Sequence, residues 1–446
     1  MKAPSLLALI TLVFSYNSYS GECSIFSQST LNIPEGVEKV ELSLNFPTTA
    51  QSSTPWLAID FASDWKEYMN SVVETIKDDV KIDHKKIVLT NNERWFSTPW
   101  MDYGNAGREP INGLTRERGP REKDVAPNSP RGGQVWAVGW YNDIAATNFS
   151  RIFKDPCNPR IDEHVSFDEG SVAIKFLFTT LDANSLPYLK GAPQIEAYID
   201  PANLAGRGRP EQRVLSTMRL LQVDLAVKDH RAIETGWLFG TYVWMNSDSE
   251  GLFENLVPVS LAWGDDPKVY NDDIKQSRIN TDLKDVLYGW EERPFLGFMG
   301  RANGPADNAI SSCISCHGSA QFPRPKIGNL DTRTPLASAI KDQQVRKKLV
   351  DERFVNQPAG TLFDNSIEGA VAMDYSLQLQ ASIERICAAW CDGHLSQEPS
   401  LCKLDTGFRY TPSRCRALNN VTSSEIKTEP IDSFDNLLRA LDNPRG

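Results

Sequence analysis

The sequence predicts an α+β fold: an antiparallel β-sheet core with flanking helices and a helical, cysteine-bearing C-terminal region. Five apolar runs with period-two alternation crowd the middle of the chain. From about residue 275 the pattern changes to helical spacing and irregular segments. A chain of 446 residues with 40% apolar content, including 11 Trp, 12 Tyr and 19 Phe, can also fill real cores in two or three domain-sized units.

The elements follow in order. Lys2, the apolar run LLALITLVFS (6–15) and the small residues Ser18 and Ser20 read as a signal peptide over 1–20, cleaved after Ser20. The run is too short to span a membrane. Within 21–133, alternation in VEKVELSLNF (37–46) predicts a strand, and ASDWKEYMNSVVETIKDD (62–79) has helical spacing. Residues 92–133 form a polar segment rich in Gly, Pro and Arg, and the embedded Trp95, Trp100 and Tyr103 favour a packed loop.

The β core is expected over 134–270, from QVWAVGWY (134–141), SVAIKFLFTT (171–180), TMRLLQVDLAV (217–227), GWLFGTYVWM (236–245) and LVPVSLAW (256–263). Short polar or glycine-bearing links between these runs favour antiparallel pairing, with helix limited to about 142–153. In 271–392, helices are predicted over 275–288, 335–350 and 374–392, and irregular backbone over 301–330. The tail, 393–446, carries two cysteines and a short amphipathic segment at 431–441.

No later window is long and apolar enough for a membrane span, so the mature chain is expected to be exported and soluble, periplasmic in a bacterium. The formal charge of −11 becomes one unit more negative when Lys2 leaves with the signal. Such a surface repels nucleic acid and anionic membranes, which leaves a protein or a small molecule as the expected partner.

The chemistry is concentrated in SSCISCHGSA (311–320). Cys313, Cys316 and His317 have the C-x-x-C-H spacing of covalent haem attachment: two thiols on adjacent turns reach two vinyl groups of one porphyrin, and the next residue offers an imidazole to iron. Chance placement of 8 Cys and 5 His gives roughly 0.002 such matches. A thioredoxin-like C-x-x-C should follow a strand in a βαβ unit, and a zinc site would need two further ligands at matched spacing; neither is visible here. One motif implies one covalent haem c, with His317 as proximal iron ligand. The 271–392 region is therefore expected to bear the haem.

What the iron does depends on the opposite face. Met373 and Met299 are the candidate distal ligands, with a packing role as the alternative for each. His394 is a further candidate, whereas His84, His164 and His230 sit among charges and read as surface residues. Six cysteines remain: Cys23, Cys157, Cys387, Cys391, Cys402 and Cys415. Glu22 speaks against lipid attachment at Cys23, and an even count in an exported chain favours up to three disulfides. Cys387 and Cys391 stand one helical turn apart and are expected to reach Cys402 and Cys415, stapling the tail.

The strings PWMDYGNAGREPINGLTRERG (99–119), VWAVGWYND (135–143), LVPVSLAWGDDP (256–267) and GRANGPADNAISSCISCHGSAQ (300–321) resemble a bacterial family of exported proteins with one cytochrome c motif. The order WYND (140–143), FDEGSVAIK (167–175), VDLAVKD (223–229), GWLFG (236–240) and CISCH is similar to the β-sheet c-type cytochromes. That group comprises hydroxylamine-oxidising members with a lysine-to-haem crosslink and the nitric-oxide-binding cytochromes c′-beta. The resemblance implies an antiparallel sheet, an iron open on its distal side, and Lys175 as a lysine to examine for a crosslink. The chain departs from that group in its length, its N-terminal segment and its cysteine-rich tail.

Two functions follow as expectations. The first is electron transfer by an exported monohaem cytochrome to a redox partner protein. The alternative is an open-iron haem enzyme or sensor acting on hydroxylamine, nitric oxide or peroxide. That chemistry wants a proton donor or charged group near the iron, and Arg108, Glu109, Arg116, Glu117 and Arg118 are candidates.

Overall fold

The computed structural model describes residues 35, 37–101, 108–161, 165–200, 213–247, 249, 251–325, 341–391, 395 and 397–403. The signal peptide, the 431–441 segment, His164, His394, Cys23 and Cys415 lie outside these residues. Among the described residues, no helix is long and apolar enough to cross a membrane.

The first elements are a helix, α1 (Trp65–Glu74), and a hairpin of β1 (Val80–Asp83) and β2 (Lys86–Leu89). Short strands β3 (Trp95–Ser97) and β4 (Thr115–Arg116) come next. Then follow β5 (Val135–Asn142), helix α2 (Asp143–Ile152), β6 (Val172–Thr179), β7 (Gln194–Ile199) and the long β8 (Val214–Lys228). β9 (Trp237–Trp244), β10 (Leu256–Ala262) and β11 (Ser277–Ile279) complete the nine-stranded sheet. Beyond it lie α3 (Lys284–Leu287), α4 (Cys313–His317), β12 (Gln321–Phe322), α5 (Gln343–Arg353), β13 (Val371–Ala372) and α6 (Leu377–Cys391).

All pairings in the sheet are antiparallel, in the order β11-β10-β9-β8-β6-β5-β3. β4 joins β5, and β7 pairs with the N-terminal half of β8. All five apolar runs became strands, since each presents two faces that the fold can cover. The sheet is wider than 134–270, however, because β3 and β4 enter from before it and β11 from after it. Two- and three-residue strands carry too little alternation to be read from sequence.

Two helix expectations and one strand expectation are corrected. Residues 37–46 form no strand: Val40 N–H donates to Pro110 C=O and Ser97 N–H to Ser43 C=O, at 2.8 Å each. The backbone they meet is partly irregular loop, which cannot supply a ladder. The helix over 275–288 is replaced by β11, a 3₁₀ turn and the four-residue α3. Ser277–Ile279 pairs with β10, and the Asn280 side chain accepts from Asp282 N–H, so sheet edge and cap override the helical pattern. The helix over 62–79 shortens to α1, because the chain must extend at Val80 to enter the hairpin.

The sheet divides the molecule into two cores. On one face Val138, Trp140, Ile174, Phe176, Val223, Leu225, Leu238 and Tyr242 pack with Tyr68, Met69 and Val72 of α1. The other face meets α2, α4 and α6 in a second cluster with Tyr141, Phe239, Ile314, Met373, Tyr375 and Ile383. The period-two alternation of β5, β6, β8 and β9 sends successive residues to these two covers.

Candidate functional site

α4 is placed by its first residue. Ser312 Oγ accepts from Ser315 N–H while Ser315 Oγ accepts from Ser312 N–H, both at 2.9 Å, a reciprocal cap. Ser312 Oγ also donates to buried Asp265, and Cys313 N–H reaches Ala302 C=O at 3.2 Å. Ile314, fully buried, anchors the helix in the second core. Cys313 and Cys316 are thereby left unbonded to each other.

His317 is held from behind. Its Nδ1 lies 2.9 Å from Tyr375 C=O, and its ring packs on Phe239 of β9 with centroids 4.4 Å apart. A carbonyl can only accept, so Nδ1 carries the proton and Nε2 keeps its lone pair. Burial pushes the imidazole down to about 4 against a smaller opposing effect of the Tyr375 bond, and Lys175 depresses it further. The ring is therefore neutral and competent as a ligand at neutral pH.

Cys316 is exposed and Cys313 half-exposed, yet lost hydration is the main cause raising both thiols. In the sheet, Gly139, Ala173, Lys175, Asp224 and Ala226 lie in the central strands yet are only half-buried. They are cross-strand neighbours, with Lys175 opposite both Gly139 and Asp224, and Ala173 opposite Ala226. A Cβ on Gly139 would stand 2.8 Å from Gln378 of α6, so α6 lies against the sheet at this point.

This half-buried patch carries charge. Lys175 Nζ pairs with Glu117 at 2.8 Å. Asp224 accepts from Thr241 Oγ1 at 2.8 Å and from Gln222 Nε2 at 2.8 and 3.0 Å. The same amide lies 3.4 Å from Asp307. Burial and then Asp307 raise Asp224 well above the usual carboxylate range, with Lys175 opposing. For Lys175, burial disfavours the charge, but Glu117, Asp224 and Asp307 together leave the amine above its ordinary value.

Of the loop candidates, Glu117 reaches this cluster through Lys175. Arg108 donates to Gly113 C=O at 3.0 Å and Thr98 C=O at 2.8 Å, and buried Glu109 accepts from Ile111, Asn112 and Tyr198 N–H. Arg116 pairs with Asp200, and Arg118 with Asp124 and Ala306 C=O. These four hold the loop in shape.

Met373 is fully buried in the second core, two residues before Tyr375, with its N–H on Ala320 C=O. It thus belongs to the segment behind the Nδ1 side of His317. Met299 packs in a separate small cluster with Phe298, Leu349, Val350 and Phe354. His84 and His230 are exposed beside Asp83 and Glu169. Asp224, Asp307 and Gln222 were not singled out from sequence; the alternation of β8, which puts 222, 224 and 226 on the face of Lys175, could have found two of them.

Cys387 and Cys402 form a disulfide, and Cys157 and Cys391 are also disulfide-bonded. Among the described residues, no group of three or more His, Cys, Asp or Glu is arranged to hold a metal ion. The donor set fits a haem nonetheless: two unbridged thiols and a neutral, oriented imidazole stand on one short helix. Comparisons with protein families, curated proteins and solved structures found no match to this chain.

Proposed function

We propose that this chain is an exported c-type monohaem protein that binds a small molecule such as nitric oxide, hydroxylamine or peroxide at its iron. Cys313 and Cys316 would hold the haem as thioethers, each S–H adding across a vinyl group, and His317 would be the axial ligand. The observation that carries the reading is the meeting of this helix with a half-exposed sheet patch bearing Lys175–Glu117 and Asp224–Asp307. When bound, haem supplies a redox-active iron able to take such ligands.

The chain's own residues supply charge and protons. Asp224 retains a proton on its carboxyl closer to neutral pH than an ordinary aspartate, and Gln222 and Thr241 fix its orientation. Lys175 offers a positive charge to an anionic ligand, steadied by Glu117. Disulfides at Cys157, Cys387, Cys391 and Cys402 support an oxidising, extracytoplasmic location. The resemblance to β-sheet c-type cytochromes points the same way, and it makes Lys175 the residue to check for a haem link.

A simple electron carrier is the second reading, favoured by the exposure of Cys316, which would leave a haem edge accessible to a redox partner. Absorption and electron paramagnetic resonance spectra separate the two. High-spin iron that binds carbon monoxide or nitric oxide supports the small-molecule site; low-spin iron indifferent to both in either oxidation state supports the carrier. In the Cys313→Ala/Cys316→Ala double variant, acidic organic solvent should extract most of the colour that wild type retains. A colourless wild type, made alongside haem-attachment machinery, would defeat both readings.

A further inference from the structure

We infer that Lys228 and Asp374 are positioning residues for the iron ligand: their buried ion pair fixes the backbone carbonyl that orients His317. The inference rests on the haem reading above.

Lys228 Nζ lies 2.9 Å from both carboxylate oxygens of Asp374, and the two side chains are 3% and 0% exposed. Asp374 Oδ1 also accepts from Trp237 Nε1 at 2.9 Å, and Oδ2 from Phe167 N–H at 2.8 Å. Both oxygens are thus held from three elements: β8, β9 and the segment before β6.

This anchoring coincides with an unusual backbone. Asp374 and Tyr375 have φ of 44° and 66°, two consecutive non-glycine residues in the left-handed region. Such a conformation costs of order 1–3 kcal/mol per residue and persists only where surrounding contacts impose it. Tyr375 C=O, turned by that backbone, receives His317 Nδ1 at 2.9 Å. A buried ion pair adds little net stability over apolar residues of similar volume, so its consequence here is shape. The carboxylate pins residue 374, residue 375 follows, and the imidazole is locked with Nε2 as the free ligand. The Nδ1–H bond also makes Nε2 a stronger donor to iron.

The test uses the holoprotein, with Lys228→Met as the main variant and Trp237→Phe as a milder one that keeps the ion pair. Covalent haem is measured by haem staining on denaturing gels, with the midpoint potential and the ferrous iron–imidazole resonance Raman band as readouts. Loosening the carbonyl weakens donation to iron, so the potential of Lys228→Met should move positive and the Raman band to lower frequency. Trp237→Phe should move both the same way, by less. Removing a positive charge alone would drive the potential negative, so the sign separates orientation from charge. Haem-loaded variants with an unchanged or more negative potential and an unmoved band overturn the inference while leaving the haem reading intact. If Lys228→Met does not fold, Trp237→Phe decides by the same criteria. A wild type lacking covalent haem overturns both.

Discussion

Asp265 shows how a single residue can link the motif to pH. It is fully buried, its Oδ1 takes the Ser312 hydroxyl, and its Oδ2 has no hydrogen-bond partner. Burial, only partly opposed by Ser312 and Arg301, pushes its carboxyl up to about 7. The folded state therefore holds a proton that the unfolded chain releases near 4. The stabilisation is complete below about 4 and is lost as pH rises through about 7. Asp265→Asn, which still accepts from Ser312, should be more stable than wild type at pH 8, by about 1–2 kcal/mol, and near-equal at pH 4. Urea unfolding at the two pH values checks this, and equal differences at both would show that Asp265 does not titrate as described.

At the scale of elements, two features set the region around α4 apart. The helix α6 is tied to the following 3₁₀ turn by Cys387–Cys402, a separation of 15 residues. Closing a loop of that length is worth about 3 kcal/mol through the unfolded chain. The Cys387→Ala/Cys402→Ala double variant should lose roughly that much in chemical denaturation. The second feature is the patch of small residues opposite α4. Ala173→Phe would crowd this half-buried patch while keeping the β6–β8 ladder, so covalent haem yield should fall about tenfold or more with little change in thermal unfolding of the haem-free chain.

Across the whole molecule, the sheet makes these effects separable. Leu225 is one residue from Asp224 but faces α1's core, where truncation to Ala should cost 2–5 kcal/mol, the usual range for a buried leucine. Haem attachment in folded Leu225→Ala should match wild type, since the patch beside Cys313 packs against the other core. Ala173→Phe should show the reverse pattern, and measuring both stability and haem yield in the two variants tests the two-faced design. A Leu225→Ala protein that folds but fails to take haem would mean that the faces are coupled.

Much of this molecule was legible in its sequence. The period-two runs located β5, β6, β8, β9 and β10, because alternation is imposed locally by the pleat. The thiols and imidazole of Cys313, Cys316 and His317 were legible because they sit at fixed spacing within one short segment, the spacing that the proposed haem attachment would require. Other parts were decided only in three dimensions. The strands β3, β4 and β11 exist because a neighbouring strand offers them an edge, whereas residues 37–46, bonded through Val40 N–H to Pro110 C=O and Ser43 C=O to Ser97 N–H, form no ladder. Glu117, Lys175, Asp224 and Asp307 come from four separate segments and become one charged cluster only when the sheet closes under α4. The carbonyl that holds His317 lies 58 residues away in sequence, on a backbone whose left-handed turn is fixed by Lys228 of a different element. Local rules reach as far as a turn or a pleat; long-range pairing sets which local pieces meet, and that is where the site acquired its surroundings.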